Sequence, residues 1–251
     1  MSTIRLAFSW LTVLPVRGPN HVDRRLAGRA ITVTPVVGVA LGGVAAVLAW
    51  LLITIDLQPT LAGLLVVAAL ALLTRGMHID GTADTADGLG CFGDATRARE
   101  VMHSGSTGPF GVAAIVVAIG AQASAFGALG AAGHWYAIGL AVVAGRVAAV
   151  IACRRGIRAA SDRGFGALVA DTQPLWLVIG WIAVVALAAI PAVDPWWQGP
   201  LVVVIALAAS TLLVRHCVRR FDGLNGDVLG AAIEFTVTVV AIGATVGAWP
   251  L

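Results

Sequence analysis

Long apolar segments constrain this chain more than any other feature. Seven stretches of roughly 20 residues carry few charges, at about residues 31–53, 59–77, 109–131, 134–153, 174–193, 201–218 and 228–249. A helix of about 20 apolar residues spans the core of a bilayer and satisfies its own backbone hydrogen bonds in lipid. The sequence therefore predicts an all-α, polytopic membrane bundle of about seven transmembrane helices, forming a single domain over residues 1–251.

The composition supports this class of protein. Of 251 residues, 59% are hydrophobic and only 12% are charged, whereas about a quarter are charged in a typical soluble domain. Residues 1–16 form an apolar segment too short to span comfortably and without a signal cleavage site, which predicts an interfacial or re-entrant piece. Three scattered cysteines indicate neither a disulfide framework nor a zinc site. The net charge of +3 is too small to indicate nucleic-acid binding.

The distribution of arginine predicts the orientation in the membrane. Nearly every arginine lies in or beside residues 17–29, 78–108, 154–171 and 219–227, which seven spans would place on one side. The connections on the other side, residues 56–59, 132–133 and 194–199, contain none. Because basic loops stay in the cytoplasm, we expect a cytoplasmic N-terminus and cytoplasmic polar segments.

The second apolar segment is followed by a dense group of acids. Asp80, Asp84 and Asp87 are four and three residues apart, and His78 precedes the first by two. On a helix this spacing places all three carboxylates on one face, where they repel one another unless a cation lies between them. Such hard oxygen ligands suit Mg²⁺ or Mn²⁺ bridging to substrate phosphates, although a solvated acidic loop is the alternative. His78 could serve as a base, a metal ligand or a hydrogen-bond donor to a ligand.

A second polar group opens the last apolar segment. Asn225 and Asp227 stand at its entry, and Glu234 is seven residues beyond Asp227 on the same helix face. Glu234 would lie about 10 Å deeper in the membrane. An acid at that depth indicates a functional role unless a packed hydrogen-bond partner neutralises it. Both groups are predicted on the cytoplasmic side, so they could form one site.

Three arginines are candidate substrate ligands. Arg146 lies well inside a span, where it could pair with Glu234 or bind a phosphate. Arg75 and Arg97 flank the acidic group, and guanidinium binds phosphate in a bidentate manner, although arginine in a cytoplasmic loop needs no further explanation. Together these residues indicate a membrane-embedded, metal-dependent phosphotransferase.

Two motifs resemble one known family. Residues 78–88, HIDGTADTADG, resemble the hallmark of the cobalamin synthases, the adenosylcobinamide-GDP ribazoletransferases, and residues 226–234, GDVLGAAIE, resemble their C-terminal motif. The resemblance continues in order through most of the chain, from Phe8 and Thr12 onward. At Ser104 and Ser161 the chain departs from the family pattern, so no role is carried onto either residue.

The resemblance implies a reaction in the membrane. The adenosylcobinamide-phosphate group of adenosylcobinamide-GDP would pass to α-ribazole or its 5′-phosphate, with release of GMP and Mg²⁺ as cofactor. It implies a multi-pass protein of the cell (inner) membrane, with the site on the cytoplasmic side; assembly into a homo-oligomer stays open.

The residues described above then take roles in that reaction. We expect Asp80, Asp84, Asp87 and Asp227 to hold Mg²⁺, and Asp87 or His78 to take the proton of the attacking hydroxyl. The expected substrate contacts are Arg75, Arg97, Arg146, Asn225 and Glu234.

Two other classes compete with this interpretation. A CDP-alcohol phosphatidyltransferase also uses spaced aspartates at a membrane surface, but its pattern has Ala-Arg where this chain has Ala83 and Asp84. A cation transporter would place acids near the midplane of several spans, and here only Glu234 and Arg146 are charged at such depth. Both alternatives are therefore less favoured.

Overall fold

The computed structural model describes residues 2–19 and 21–247, and within them the chain forms twelve α-helices and no β-strand. The helices are α1 (Ser2–Leu11), α2 (Arg24–Thr32), α3 (Thr34–Thr54), α4 (Pro59–Leu73), α5 (Met77–Gly90), α6 (Ala95–Met102), α7 (Pro109–Ala131), α8 (Trp135–Ala152), α9 (Gly164–Val169), α10 (Leu175–Ala188), α11 (Gln198–Arg220) and α12 (Gly226–Thr245).

The predicted spans coincide with helices. Five helices, α3, α7, α8, α11 and α12, are long and apolar enough to cross a membrane, while α10 is apolar but shorter. The remaining predicted span, α4, ends at Leu73 and is followed by α5 at an angle of 94°. The prediction of an all-α membrane bundle with about seven spans is confirmed. The end of the last predicted span, residue 249, lies outside the described residues, and the orientation stays a prediction.

Two polar segments outside the predicted spans contain helices, and for the second of them the spacing of the aspartates already indicated one. Residues 17–29 contain most of α2, whose N-terminus is capped by the Asp23 carboxylate accepting from the Leu26 N–H at 2.7 Å. Residues 78–108 contain nearly all of α5 and the whole of α6. The short apolar N-terminal segment forms α1, and the Val13 N–H donates to the Leu73 carbonyl at 2.8 Å, which fixes its end beside the end of α4. Its first residue, Met1, lies outside the described residues.

Small residues bring the membrane helices close together. Helix α8 is buried along most of its length and packs against α3 and α12. Where α3 meets α8, a Cβ added at Gly42 would lie 2.5 Å from the Gly139 carbonyl oxygen, so only glycine fits at this crossing. Such contacts replace the hydrophobic driving force that lipid removes.

The four arginine-rich segments meet at one end of the bundle. Arg99 Nη1 donates to the Phe221 carbonyl at 2.8 Å, and Arg220 Nη2 donates to the Cys91 carbonyl at 2.8 Å. The Leu224 N–H donates to the Arg158 carbonyl, also at 2.8 Å, and Arg24 donates to the Ala167 carbonyl, which adds the segment 17–29. The segments that the arginine pattern assigned to one side therefore do lie together.

Candidate functional site

The two acidic groups lie side by side where α5 crosses the start of α12. A Cβ added at Gly81 would lie 2.8 Å from the Asp227 carbonyl oxygen, and one added at Gly230 would lie 3.1 Å from the His78 Cα. Glycine on each helix thus permits direct backbone contact. The two acidic groups are therefore neighbours in the fold, and their action as one functional site stays a prediction.

Local sequence explains how each helix begins at this junction. Gly76 has a φ of 68°, a conformation that favours glycine, and it turns the chain from α4 into α5. The Asn225 side chain caps α12 by accepting from the Val228 N–H at 3.0 Å. Asn225 Nδ2 also donates to Asp227 Oδ2 at 3.1 Å, which orients that carboxylate.

A cavity of about 230 Å³ opens between these helices. Asp80 and Asp227 line it together with His78 and Arg146, so it carries both acidic and basic groups. The rest of its wall includes apolar side chains from four helices: Leu11, Ile31, Phe165, Leu229 and Ile233. The site can therefore hold a ligand that has both a charged part and an apolar part.

The carboxylates at the junction repel one another. Helix α5 runs from Gly230 past Asp227 in the first turn of α12, so Asp84, which follows Gly81 on α5, lies beyond the start of this span. Burial, followed by the nearby charges of Asp227 and Asp80, raises the pKa of Asp84 to about 6. A cation between these side chains would relieve this repulsion.

The donor set fits a metal that a substrate helps to bind. Within the described residues, no three His, Cys, Asp or Glu side chains are arranged to hold a metal by themselves. Mg²⁺ is commonly bound by one or two carboxylates, with waters and substrate phosphates completing its coordination. Asp80 and Asp227 at the cavity, with Asp84 beside them, fit that kind of site.

Asp87 has different surroundings from the other two aspartates of α5. Its Oδ2 accepts from the Gly108 N–H at 2.7 Å and its Oδ1 accepts from the Gly111 N–H at 2.8 Å. These donors lie at the start of α7, where free N–H groups and the helix dipole favour a carboxylate. Asp87 thus ties α5 to α7; its predicted role as base or metal ligand stays a prediction.

The interior of the cavity contains polar groups without hydrogen-bond partners. Both ring nitrogens of His78 and Nε of Arg146 are buried and have no hydrogen-bond partner among the described residues. His78 Nδ1 lies 3.7 Å from Glu234 Oε1, and Gln122 Nε2 donates to Glu234 Oε2 at 2.8 Å. No carboxylate oxygen of the described residues lies within 4.0 Å of an Arg146 nitrogen. Arg146 Nη1 donates to the Val142 carbonyl at 3.5 Å, so it is Nε that remains to bind an anion entering the cavity.

The two flanking arginines lie away from the cavity. Arg75 Nη2 donates to the carbonyls of Ser9 and Trp10, at 2.9 and 3.0 Å, and so secures the end of α1. Arg97 Nη1 forms an exposed ion pair with Glu100 at 3.2 Å. Contact with a substrate stays a prediction for both.

Two contributors were not identified from the sequence. Gln122, an amide inside an apolar span, donates a hydrogen bond to Glu234. An isolated polar residue in such a span indicates a functional or structural partner, so the sequence did contain evidence for it. Phe165 lines the cavity from α9, and its ring packs edge-on against Trp10 with centroids 5.0 Å apart. Nothing in the local sequence around Phe165 distinguishes it from an ordinary apolar residue.

Comparison with known proteins identifies the family. The family model for cobalamin-5-phosphate synthase matches residues 3–245. A Corynebacterium efficiens protein named adenosylcobinamide-GDP ribazoletransferase is 39% identical, over 95% of this chain and 89% of its own length. A Nocardioides protein of the same name is 40% identical, over 98% and 96%. No solved structure matches. The chain therefore belongs to the cobalamin-5-phosphate synthase family and is a transferase of cobalamin biosynthesis.

Proposed function

We propose that this enzyme transfers the adenosylcobinamide-phosphate group of adenosylcobinamide-GDP to a hydroxyl of α-ribazole or its 5′-phosphate. A phosphate–oxygen bond forms to the ribazole, the bond within the pyrophosphate breaks, and GMP leaves. The observation that carries the proposal is the contact between Gly81 and Asp227, which joins two acidic groups at a cavity that also contains Arg146. The names of the relatives supply the substrates.

We assign cation binding to the acids at the junction. Asp80, Asp84 and Asp227 would hold Mg²⁺ against the pyrophosphate, with Asn225 orienting Asp227. Bound Mg²⁺ supplies charge stabilisation for the phosphoryl group as it transfers. Asp87 acts as a positioning residue, because both of its oxygens hold the start of α7.

Arg146 and His78 act inside the cavity. Arg146 is 3% exposed and has an unpartnered Nε, so a phosphate oxygen would satisfy a donor that is otherwise buried without a partner. His78 lines the same cavity and accepts the proton of the attacking hydroxyl. Glu234, held by Gln122, orients the imidazole and stabilises it once the proton has moved.

The arginine-rich end of the bundle supports a cytoplasmic site in the cell inner membrane. The acidic junction lies beside segments whose arginines would be retained in the cytoplasm, where nucleotide substrates are found. Substrates would then enter the cavity from the cytoplasmic surface.

An assay in membranes tests the proposal. Protein-containing membranes are incubated with adenosylcobinamide-GDP and α-ribazole, or its 5′-phosphate, with Mg²⁺ or with EDTA. Release of GMP and formation of a new corrinoid are followed, with Asp84→Asn as the matched control. We expect both products only with Mg²⁺ and only from the unsubstituted protein. Absence of GMP from folded protein with Mg²⁺ would refute the transfer, and activity in EDTA would refute the metal assignment.

A further inference from the structure

A basic cluster on α2 lies outside the catalytic cavity. Arg24, Arg25 and Arg29 line an open depression of about 540 Å³, which Asp171 and Thr172 also border. Arg24 already has partners, since it donates to the carbonyls of Ala167 and Ala170 at the end of α9 and lies 4.0 Å from Asp171. Arg25 and Arg29 are exposed, and neither has a carboxylate oxygen of the described residues within 4.0 Å of its guanidinium nitrogens. The depression therefore offers uncompensated positive charge.

An apolar groove of about 350 Å³ begins beside this cluster. It runs between α3, α8 and α10, and glycines at positions 42, 43 and 139 contribute to its wall. The two features share an edge, because Trp181 in the groove donates its indole N–H to the carbonyl of Thr32 in the depression, at 2.9 Å. The indole thus packs in the apolar groove while its N–H bonds to the polar depression.

The dimensions of the groove match one leaflet of a bilayer. Along α3 it extends from Pro35 to Ala46, about 17 Å of helix, which is roughly half the thickness of the hydrocarbon core. Its far end is closed where the Tyr136 hydroxyl donates to the Ala188 carbonyl at 3.0 Å, joining α8 to α10. A ligand in this groove would thus have its polar end at the basic cluster and its apolar part along α3.

We propose that this surface is a binding site for a phospholipid with an anionic headgroup. The headgroup lies against Arg25 and Arg29, and one acyl chain occupies the groove beside Gly43. Basic pockets next to membrane helices recognise anionic headgroups through charge, and the apolar groove adds burial of a chain. The site is separate from the acids of α5 and α12, because it shares no lining residue with the cavity that they border.

Two variants remove the two halves of the site. Arg25→Gln with Arg29→Gln removes the charge at exposed positions. Arg215→Gln with Arg219→Gln is the matched control, since these arginines are also exposed, four residues apart and at the basic end of the bundle. Gly43→Leu fills the groove, because a Cβ there meets nothing within 4 Å, and Gly120→Leu on α7 is the matched control with equally open space.

Lipid retention measures the binding. The full chain is equilibrated with vesicles of equal phosphatidylglycerol and phosphatidylcholine and extracted into detergent, and retained lipids are counted by native mass spectrometry. We expect the protein to retain phosphatidylglycerol. Its preference for phosphatidylglycerol over phosphatidylcholine should fall roughly 25-fold in the Arg25/Arg29 variant, about fivefold for each arginine. Gly43→Leu should lose retention, and both controls should keep it.

Three results would overturn the proposal. They are equal retention of the two lipids, unchanged retention in either test variant, and displacement of the lipid by millimolar glycerol phosphate. The last result would show a site for soluble phosphate in which the acyl chain contributes nothing.

Discussion

Gly81 lies directly against the backbone of Asp227, so that an added Cβ would come within 2.8 Å of the Asp227 carbonyl oxygen. This contact joins α5 to α12 and brings together acids that the sequence separates by at least 140 positions. The geometry of the site therefore depends on the absence of a side chain at one residue.

Replacing Gly81 by alanine tests this dependence. We expect Gly81→Ala to move α5 away from α12 at a cost of about 1–3 kcal/mol in stability. The displaced carboxylates should lower transferase activity by about 100-fold. Activity per folded protein, measured in membranes with thermal unfolding in parallel, checks this.

Gly120→Ala is the control for that substitution. Its Cβ would meet nothing within 4 Å on α7, and alanine in a helix interior should stabilise by roughly 0.5–1 kcal/mol. Normal activity of Gly81→Ala would show that the close contact is not needed for the site.

Asp84 and Asp87 should respond differently to the same substitution. Asp87→Asn removes a carboxylate that accepts hydrogen bonds from two backbone N–H groups. We therefore expect a loss of about 1–3 kcal/mol in stability together with reduced activity. Asp84→Asn should abolish turnover without lowering stability, since it relieves repulsion from Asp80 and Asp227. Thermal unfolding in detergent and GMP release measure the two effects. Equal stability of the two variants would contradict the positioning role of Asp87.

The Mg²⁺ requirement should depend on pH. The pKa of Asp84 is raised to about 6, so its carboxylate is largely ionised at pH 7.5 and gains a proton as the pH falls through 6. Protons then compete with the cation, and the Mg²⁺ concentration for half-maximal activity should rise by up to about tenfold per pH unit below 6. Titrations of Mg²⁺ between pH 5 and 7.5 measure this, with unfolding temperature as a control for integrity. A requirement that stays constant across this range would exclude Asp84 as a ligand.

The sequence predicted the elements better than their contacts. The helical spacing of the α5 aspartates is a local periodicity, and the seven apolar segments are local runs of composition. Both could therefore be recognised in the sequence alone. The interaction of Asp87 with Gly108 and Gly111 could not, because it joins residues more than 20 positions apart through a backbone N–H that every residue type except proline carries.

The errors in helix boundaries also have physical causes. The second apolar segment continues in composition to Met77, yet α4 ends at Leu73 because Arg75 and Gly76 adopt positive φ values of 57° and 68°. Helix α2 was hidden by its polar composition, although Ala27, Ala30 and Ile31 form a buried face on it. Packing of this buried face stabilises the helix, although the polar composition of the segment did not indicate one.

Arg146 provides the sharpest test of the buried part of the site. If Arg146 binds a substrate phosphate, Arg146→Gln should reduce kcat/KM for adenosylcobinamide-GDP by about 10- to 100-fold, and Arg146→Lys should restore part of the loss. If it serves only to balance the charge of Glu234, combining Arg146→Gln with Glu234→Gln should restore activity, because no unpaired charge then remains buried. Kinetics and thermal unfolding of the two single variants and the double variant separate these cases. Full activity in the double variant would contradict the phosphate-binding role.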